Sequence, residues 1–438
     1  MNLKELMRSL GLVGAGGAGF PSFAKIAEGA NTLLINGSEC EPLLYTDFMI
    51  LREELETVLL GINAVLDGAG IPRAVLAVKK HTADALGFTD GESLGGKITV
   101  KALPDAYPIG DEVGLIYETL GRVVRPGNLP ISQGVIVYNT ETMFNLGRGV
   151  KYGEGVTEKW LTVGGAIDSP SVVRVPVGVR VCDLFKKLGI AVKDGFTVLD
   201  GGPSMGKIIN YHTAVVTKTT KALLILPDNT PAVQMKKMNP NLATARAETA
   251  CCGCSRCTDM CPRHLLGYPL EPHKMVRTAM GAIKASPVMV LNASLCCGCG
   301  ICESLACSQG ISPKAVINNY KVILAENKLK YIANADVSVK AERSYRMVPS
   351  SRWASTLGVK KFDTPPTYLG KISDFTRVEI PLRPNIGAPS DALVKDTERV
   401  LRGALIASPK DGLSIAQHAS IDGRVYATGE KIIIDKVN

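Results

Sequence analysis

"VGAGGAGFPSFAK", residues Val13–Lys25, is the stretch on which the reading of the fold turns. Gly14, Gly16 and Gly19 fit G-x-G-x-x-G, the fingerprint of a dinucleotide-binding turn, which needs a strand immediately before it and a helix after it. The upstream segment "MNLKELMRSLGL" places Leu3, Leu6, Met7 and Leu10 at helical spacing and leaves no room for a strand between Leu10 and Gly14. A lone G-x-G-x-x-G is weak evidence, so the Rossmann reading is discounted against glycine-rich backbone laid on a different cofactor.

With 438 residues, 46% of them hydrophobic and 21% charged, the chain has the length and composition of a globular protein of several domains. No apolar run approaches membrane-spanning length, and the N-terminus lacks the apolar stretch of a signal peptide, so a soluble, cytoplasmic chain is expected. The net charge of +9 is uneven: between Ile311 and Lys361, ten Lys and Arg face only Glu326, Asp336 and Glu342. Such a stretch reads as a solvated basic surface or as a docking face for an acidic partner or anionic cofactor. No nucleic-acid-binding module surrounds it.

Of twelve cysteines, ten fall between Cys251 and Cys307, which in a chain of this size points to metal rather than to disulfides. In "CCGCSRCTDMCP", Cys251, Cys254, Cys257 and Cys261, followed by Pro262, make the C-x2-C-x2-C-x3-C-P run of bacterial ferredoxins. In "CCGCGICESLAC", Cys296, Cys299, Cys302 and Cys307 repeat the pattern with one extra residue before the last cysteine and no proline after it. Three thiolates on one tight loop grip three irons of a cubane, and in two-cluster ferredoxins the fourth ligand comes from the other run. Cys307 then completes the Cys251/Cys254/Cys257 set, and Cys261 the Cys296/Cys299/Cys302 set, giving two 4Fe-4S clusters. Structural zinc prefers C-x2-C pairs on separated loops and fits this spacing poorly. Cys252 and Cys297 are left as spares, and Cys40 and Cys182 read as small buried hydrophobes.

Residues 30–150 alternate in an α/β manner. Strands are expected at Thr32–Asn36, Ala74–Val78, Ile98–Ala102 and Gly134–Tyr138, with one amphipathic helix carrying Phe48, Leu51, Leu55, Val58, Leu59, Ile62 and Leu66. This predicts a mostly parallel sheet with cofactors at strand ends.

Four loops in order, "GAGGAGFPSFAK", "NGSECEP", "YPIGDE" and "YNTET", resemble the flavin-binding domain shared by the 51-kDa subunit of respiratory complex I and the C subunit of the Rnf electron-transport complex. The resemblance implies FMN in the glycine loop with NADH stacked above it. It places Gly14, Gly16, Gly17 and Lys25 on the flavin, then Asn36, Ser38 and Glu39, then Tyr107, Gly110, Asp111 and Glu112, and finally Asn139 and Thr142. Phe20 takes the position of a nicotinamide-stacking aromatic. Ala15, Ser38 and Tyr138 depart from the complex I pattern, and Ala15 and "NGSECEP" lie nearer the Rnf branch. The residue types suit the role: glycine lets amides approach a phosphate, lysine adds charge, and Pro21 opens a helix expected to aim its N-terminus at that phosphate.

Residues 158–226 resemble the β-grasp (SLBB) module that follows the flavin domain in these families, with a structural role and no chemistry assignable to Lys207, Lys218 or Lys221. The short strands and turns of residues 375–438, with "VEIPLRPNIGAP" and "HASIDGRV", suggest a barrel-sandwich hybrid that lacks a carrier lysine and in which His418 is structural. The expected architecture is an α/β FMN/NADH-binding domain (1–150), the β-grasp module, a helical two-cluster ferredoxin-like insert (240–325), a basic linker (326–374) and the C-terminal barrel-sandwich hybrid. In the Rnf family's flavin-binding subunits the barrel domain stands first. Its position here, after the clusters, resembles the cobalamin reductases of propanediol-utilisation bacterial microcompartments. That resemblance implies an NADH-dependent flavo-iron-sulfur reductase delivering electrons to cobalamin inside a microcompartment, near an adenosyltransferase and shell proteins, with no acid–base or nucleophilic catalytic residue. The alternatives are an Rnf C-type subunit exchanging electrons between NADH and ferredoxin, and a non-catalytic conduit to a shell protein.

Overall fold

A computed structural model describes residues 2–17, 19–332, 337–427 and 429–437; Asp336, one of the acids counted above, lies outside them. Four parallel strands form the first sheet in the order Ile98–Leu103, Ala74–Lys79, Thr32–Asn36, Val135–Asn139. The chain winds outward in one direction from Thr32–Asn36 and then crosses to its other side, which makes the crevice beyond Asn36 and Asn139 the topological switch point where open α/β sheets bind ligands. Those two asparagines are register partners.

The expected strands are present, but the amphipathic helix is two helices, Thr46–Glu53 and Leu55–Ala69, broken at Glu54. Glu54 leaves helical geometry and accepts from the Thr57 hydroxyl (3.1 Å) and from Arg174 (3.2 Å). The second helix packs unusually close to Thr140–Tyr152: a Cβ on Gly61 would lie 1.9 Å from the Met143 carbonyl, and one on Gly147 2.0 Å from the Thr57 carbonyl.

The middle module is a mixed sheet in the order Thr367–Lys371, Ser171–Pro176, Glu158–Gly165, Ala222–Pro227, Phe196–Asp200, Lys207–Ile209, with helix Val181–Lys187 packed on it. Its outer strand comes from the stretch expected to be a linker. That expectation is corrected: Val348–Pro349 pairs with Ala106–Tyr107, Trp353 is fully buried, and Thr367–Lys371 joins the sheet. Four of the ten basic side chains between Ile311 and Lys361 are occupied as follows. Arg343 pairs with Glu118 (2.7 Å), Arg346 donates to the Asp259 carbonyl (2.8 Å), Lys314 pairs with Glu303 (3.4 Å), and Lys321 donates to the Cys296 carbonyl (2.6 Å). Two of these contacts lie inside the cysteine-bearing fold, and Arg343 and Arg346 tie the following segment to the first domain and to that fold.

The C-terminal strands form two small sheets, one ordered Arg377–Pro381, Lys431–Asp435, Gly423–Ala427, Arg399–Val400 and the other Asp391–Ala392, Leu405–Ser408, Gln417–His418. Their apolar side chains share one core with the middle module, from Leu161 and Val175 through Val378 to Ile434. Buried Lys218 ties three parts of the chain together by donating to the carbonyls of Gly11 and Ala416, each at 3.0 Å.

Candidate flavin and iron–sulfur sites

No strand precedes the glycine stretch. Helix Leu3–Ser9 leads into a loop closed by Gly14 N–H donating to the Phe20 carbonyl (2.8 Å) and Ser22 N–H to that of Leu12 (3.1 Å). Gly17, at φ +104°, has open space where a Cβ would stand, so bare backbone faces outward there. The helix expected after Pro21 is only the single 3-10 turn Ser22–Lys25, too short to focus a dipole on a phosphate.

The loop is pinned over the switch point. Ala15 N–H donates to Thr142 Oγ1 (3.2 Å), and that hydroxyl donates to the Val13 carbonyl (3.2 Å). Asn36 Nδ2 donates to the Gly110 carbonyl (3.0 Å), and its Oδ1 accepts from Ser38 N–H (3.1 Å). Lys25 reaches the Val137 carbonyl (3.0 Å) and Glu112 (2.8 Å), so its positive charge already has a carboxylate beside it. The contacts bring Gly16 against Asn139, Asn139 to the Asn36 carbonyl, Asn36 to Gly110 and Ser38, and Lys25 to Glu112, while the Ser38 hydroxyl donates to the Ala77 carbonyl and Phe20 is half-buried on the glycine loop.

Glu39 supplies the test of fit to a flavin. Its Oε2 accepts from Asp47 N–H (3.0 Å), while its buried Oε1 has no hydrogen-bond partner. Lys221 Nζ lies 3.9 Å from that oxygen, an ion pair too long for a hydrogen bond, so Oε1 keeps an acceptor position that suits a polyhydroxyl chain, whose O–H groups are donors. Burial, with help from neighbouring Asp47, pushes the carboxyl up to about 7.

Two residues expected on the flavin point elsewhere. Tyr107 is buried, stacks on Trp353 with ring centroids 4.6 Å apart, and donates its hydroxyl to the Cys299 carbonyl (2.7 Å). Asp111 caps helix Glu112–Leu120 and accepts from Arg263 (2.7 Å). The third loop therefore faces the cysteine-bearing fold as much as the crevice.

Four charged residues beneath the loops escaped the sequence reading. Lys221 bonds Asp47 (2.5 Å), which also accepts from Asn139 (3.0 Å). Lys159 pairs with fully buried Glu141, whose Oε1 accepts from Trp160 N–H (3.1 Å). Both lysines come from the middle module, which therefore helps build the crevice. The available signal was a lysine in or beside strands rich in apolar residues, Glu158–Gly165 and Ala222–Pro227.

The cysteines surround two cavities. Cys251, Cys254, Cys257 and Cys307 line one; Cys261, Cys296, Cys299 and Cys302 line the other, together with Cys297, Arg263 and Lys314. Each is lined by four cysteines of one run, Cys252 being the extra one in the first and Cys297 in the second, and by one of the other run; the quartets named are those that the expected ligand exchange selects. Among the described residues no three His, Cys, Asp or Glu side chains converge on a single ion position; each quartet encloses a cavity instead. Left-handed Gly253 and Gly298 turn the two loops, and Gly298 N–H donates to Cys296 Sγ (3.3 Å). The extra residue of the second run is absorbed by a π-helical turn, Cys302–Ala306, where the first run uses the short α-helix Arg256–Asp259. All-thiolate donor sets of this kind suit iron–sulfur clusters.

Three family models match the chain: the Nuo51 FMN-binding domain over residues 7–148, a 4Fe-4S dicluster domain over 250–312, and the RnfC barrel sandwich hybrid domain over 357–436. Cobalamin reductase PduS of Salmonella typhimurium is 37% identical across 98% of this chain and 95% of its own length. The chain belongs to the cobalamin reductase PduS family. The Citrobacter freundii member is 35% identical across the same shares. The C subunit of the Na(+)-translocating ferredoxin:NAD(+) oxidoreductase complex of Acetobacterium woodii is 28% identical over 60% of this chain and 58% of its own length. A crystal structure of an NAD+-reducing NiFe-hydrogenase aligns with TM-score 0.46 and 19% identity over 75% of this chain and 63% of the hydrogenase chain. The three models match this chain in the order FMN-binding domain, 4Fe-4S dicluster domain and RnfC-type barrel domain, and the PduS relatives align along 98% of it. No described helix is long and apolar enough to cross a membrane.

Proposed function

We propose that this PduS-family oxidoreductase takes electrons from NADH into FMN held over the switch-point crevice and delivers them, through two 4Fe-4S clusters, to cobalamin. When bound, the flavin accepts electrons in pairs and releases them singly, and the clusters carry them one at a time. The chain's own residues do the positioning. Asn36, Asn139 and Thr142 hold the crevice open under the glycine loop, and Glu39 presents an acceptor to ribityl or ribose hydroxyls. Lys25 offers a charge to the phosphate, and Phe20 offers a face to the nicotinamide. Cys251, Cys254, Cys257 and Cys307 form one cluster nest, and Cys261, Cys296, Cys299 and Cys302 the other.

The observation that carries the reading is the direct contact between the flavin loop and the second nest through Tyr107–Cys299 and Asp111–Arg263. It makes the Cys261-containing nest the one proximal to the flavin and the Cys251-containing nest, with Cys252 and Cys254 exposed, the distal one. We read residues 158–226 as a β-grasp (SLBB) module, and a microcompartment interior, with adenosyltransferase and shell proteins nearby, as the setting. The test is anaerobic NADH oxidation by the flavin- and cluster-replete protein, offered hydroxocobalamin and, separately, ferredoxin. Rapid cobalamin reduction with little ferredoxin turnover is expected; the reverse places the protein with the Rnf-type proteins.

A further inference from the structure

A third cavity, of ≈ 310 Å³, opens between the hairpin of residues 201–209, helix Pro231–Lys236 and the start of helix Pro313–Glu326. It adjoins the proximal cysteine nest and shares an apolar cluster with the distal one. Lys314 lines this cavity and also the proximal nest, and Glu303, in the wall, directly follows Cys302. Met238, on another wall, packs in the same apolar cluster as Cys251 and Cys307 of the distal nest.

Its surface has two chemical characters. Met205, Ile208, Met235 and Met238 supply an apolar face, and on the hairpin Met205 is 58% exposed and Ile208 42%. Thioethers are flexible and polarisable, and adapt to broad flat ligands; an exposed apolar patch next to a redox centre calls for an occupant. The other wall is cationic. Lys236 and Lys314 both donate to the carbonyl of Ser204, each at 3.0 Å. Two ammonium groups crowd one carbonyl, with Glu303 the carboxylate nearest Lys314 (3.4 Å) and Lys207 exposed at the rim. The hairpin itself is held rigid by Glu41, which accepts from Ser204 N–H (2.9 Å) and Met205 N–H (2.7 Å).

Resting on the corrinoid reading above, we infer that this cavity seats the cobalamin. An apolar macrocycle with a rim of amides and one phosphodiester anion in its nucleotide tail matches the pairing of a methionine face with a lysine wall. The cavity receives one edge of so large a molecule, and the exposed Met205 and Ile208 support the remainder. The seat shares Lys314 with the proximal nest, and none of its lining residues is among those assigned to the flavin, so NADH and cobalamin are expected to bind without displacing each other.

The test uses equilibrium dialysis of hydroxocobalamin against the oxidised, fully loaded enzyme, with steady-state kinetics alongside. Met205→Glu with Ile208→Glu, and separately Lys207→Glu, change exposed side chains, Lys207 giving up an ion pair with Asp200 (3.6 Å). The double variant is expected to weaken cobalamin binding at least tenfold and to raise the KM for cobalamin. NADH:ferricyanide turnover and the cluster absorbance should stay as in the parent. Unchanged cobalamin binding and KM overturn the seat, as does a parent enzyme that reduces cobalamin at a rate linear in its concentration with no measurable binding. Weakened NADH binding instead would make the cavity a nucleotide site. A parent enzyme that reduces no cobalamin at all is a different failure, that of the corrinoid reading itself.

Discussion

Arg263 reaches out of the proximal cysteine nest to Asp111 of the third flavin loop, with Nη2 2.7 Å from Oδ1. The same guanidinium lines the nest, and its buried Nε has no hydrogen-bond partner. A fixed positive charge beside a cluster favours its reduced, more negative form. Replacing it by neutral glutamine should lower the proximal cluster's midpoint potential, by on the order of 60 mV for each ~1.4 kcal/mol of attraction lost. An EPR-monitored redox titration of Arg263→Gln, with the distal cluster as internal reference, reads this shift directly. Equal shifts in both clusters would mean that the effect is not local.

Tyr107 is placed to support the nest rather than to bind flavin. Tyr107→Phe keeps the stack on Trp353 but leaves the buried Cys299 carbonyl without its donor, at a cost of about 1–3 kcal/mol. Thermal unfolding should register that loss while FMN affinity, measured by fluorescence titration, stays at the parent value. A large loss of FMN affinity would return Tyr107 to the flavin.

Exchange of the fourth ligand between runs has a sharp consequence. Cys261→Ser should abolish the cluster whose other three ligands lie some 35 to 41 positions downstream, and spare the cluster of its own run. Cys307→Ser should do the converse. Iron analysis is expected to show about half the parent content in each, with different surviving EPR signals. Cys252→Ser should retain both clusters.

Glu39 gives a pH signature. Its carboxyl is raised from 4.5 to about 7 by burial and by Asp47, so the folded flavin-free chain holds a proton that the unfolded chain releases near 4.5. Stability is therefore lost as pH rises from about 4.5 to 7 and stays lower above it, by on the order of 3 kcal/mol. Glu39→Gln removes this dependence. The difference in melting temperature between variant and parent should favour the variant more at pH 8 than at pH 4.5. A pH-independent difference would show that Glu39 does not titrate in this window.

Local chemistry made much of this protein legible in its sequence. Helical spacing from Leu3 to Leu10 leaves no room for a strand before the glycines, and thiolate spacing, read with the ligand exchange of two-cluster ferredoxins, pairs Cys307 with the first run and Cys261 with the second. The parallel strands were readable because buried strands need continuous apolar residues. Tertiary structure decided what depends on partners distant in sequence. The break at Glu54 answers Arg174, 120 residues away; Lys159 and Lys221 are tolerated in the interior because Glu141 and Asp47 meet them there. Asp111 and Tyr107 turn toward the cysteine nest because Arg263 and the Cys299 carbonyl wait across a domain boundary that no local pattern encodes. A buried charge or hydroxyl is stable only where a complement exists, and the folded chain alone brings that complement within reach.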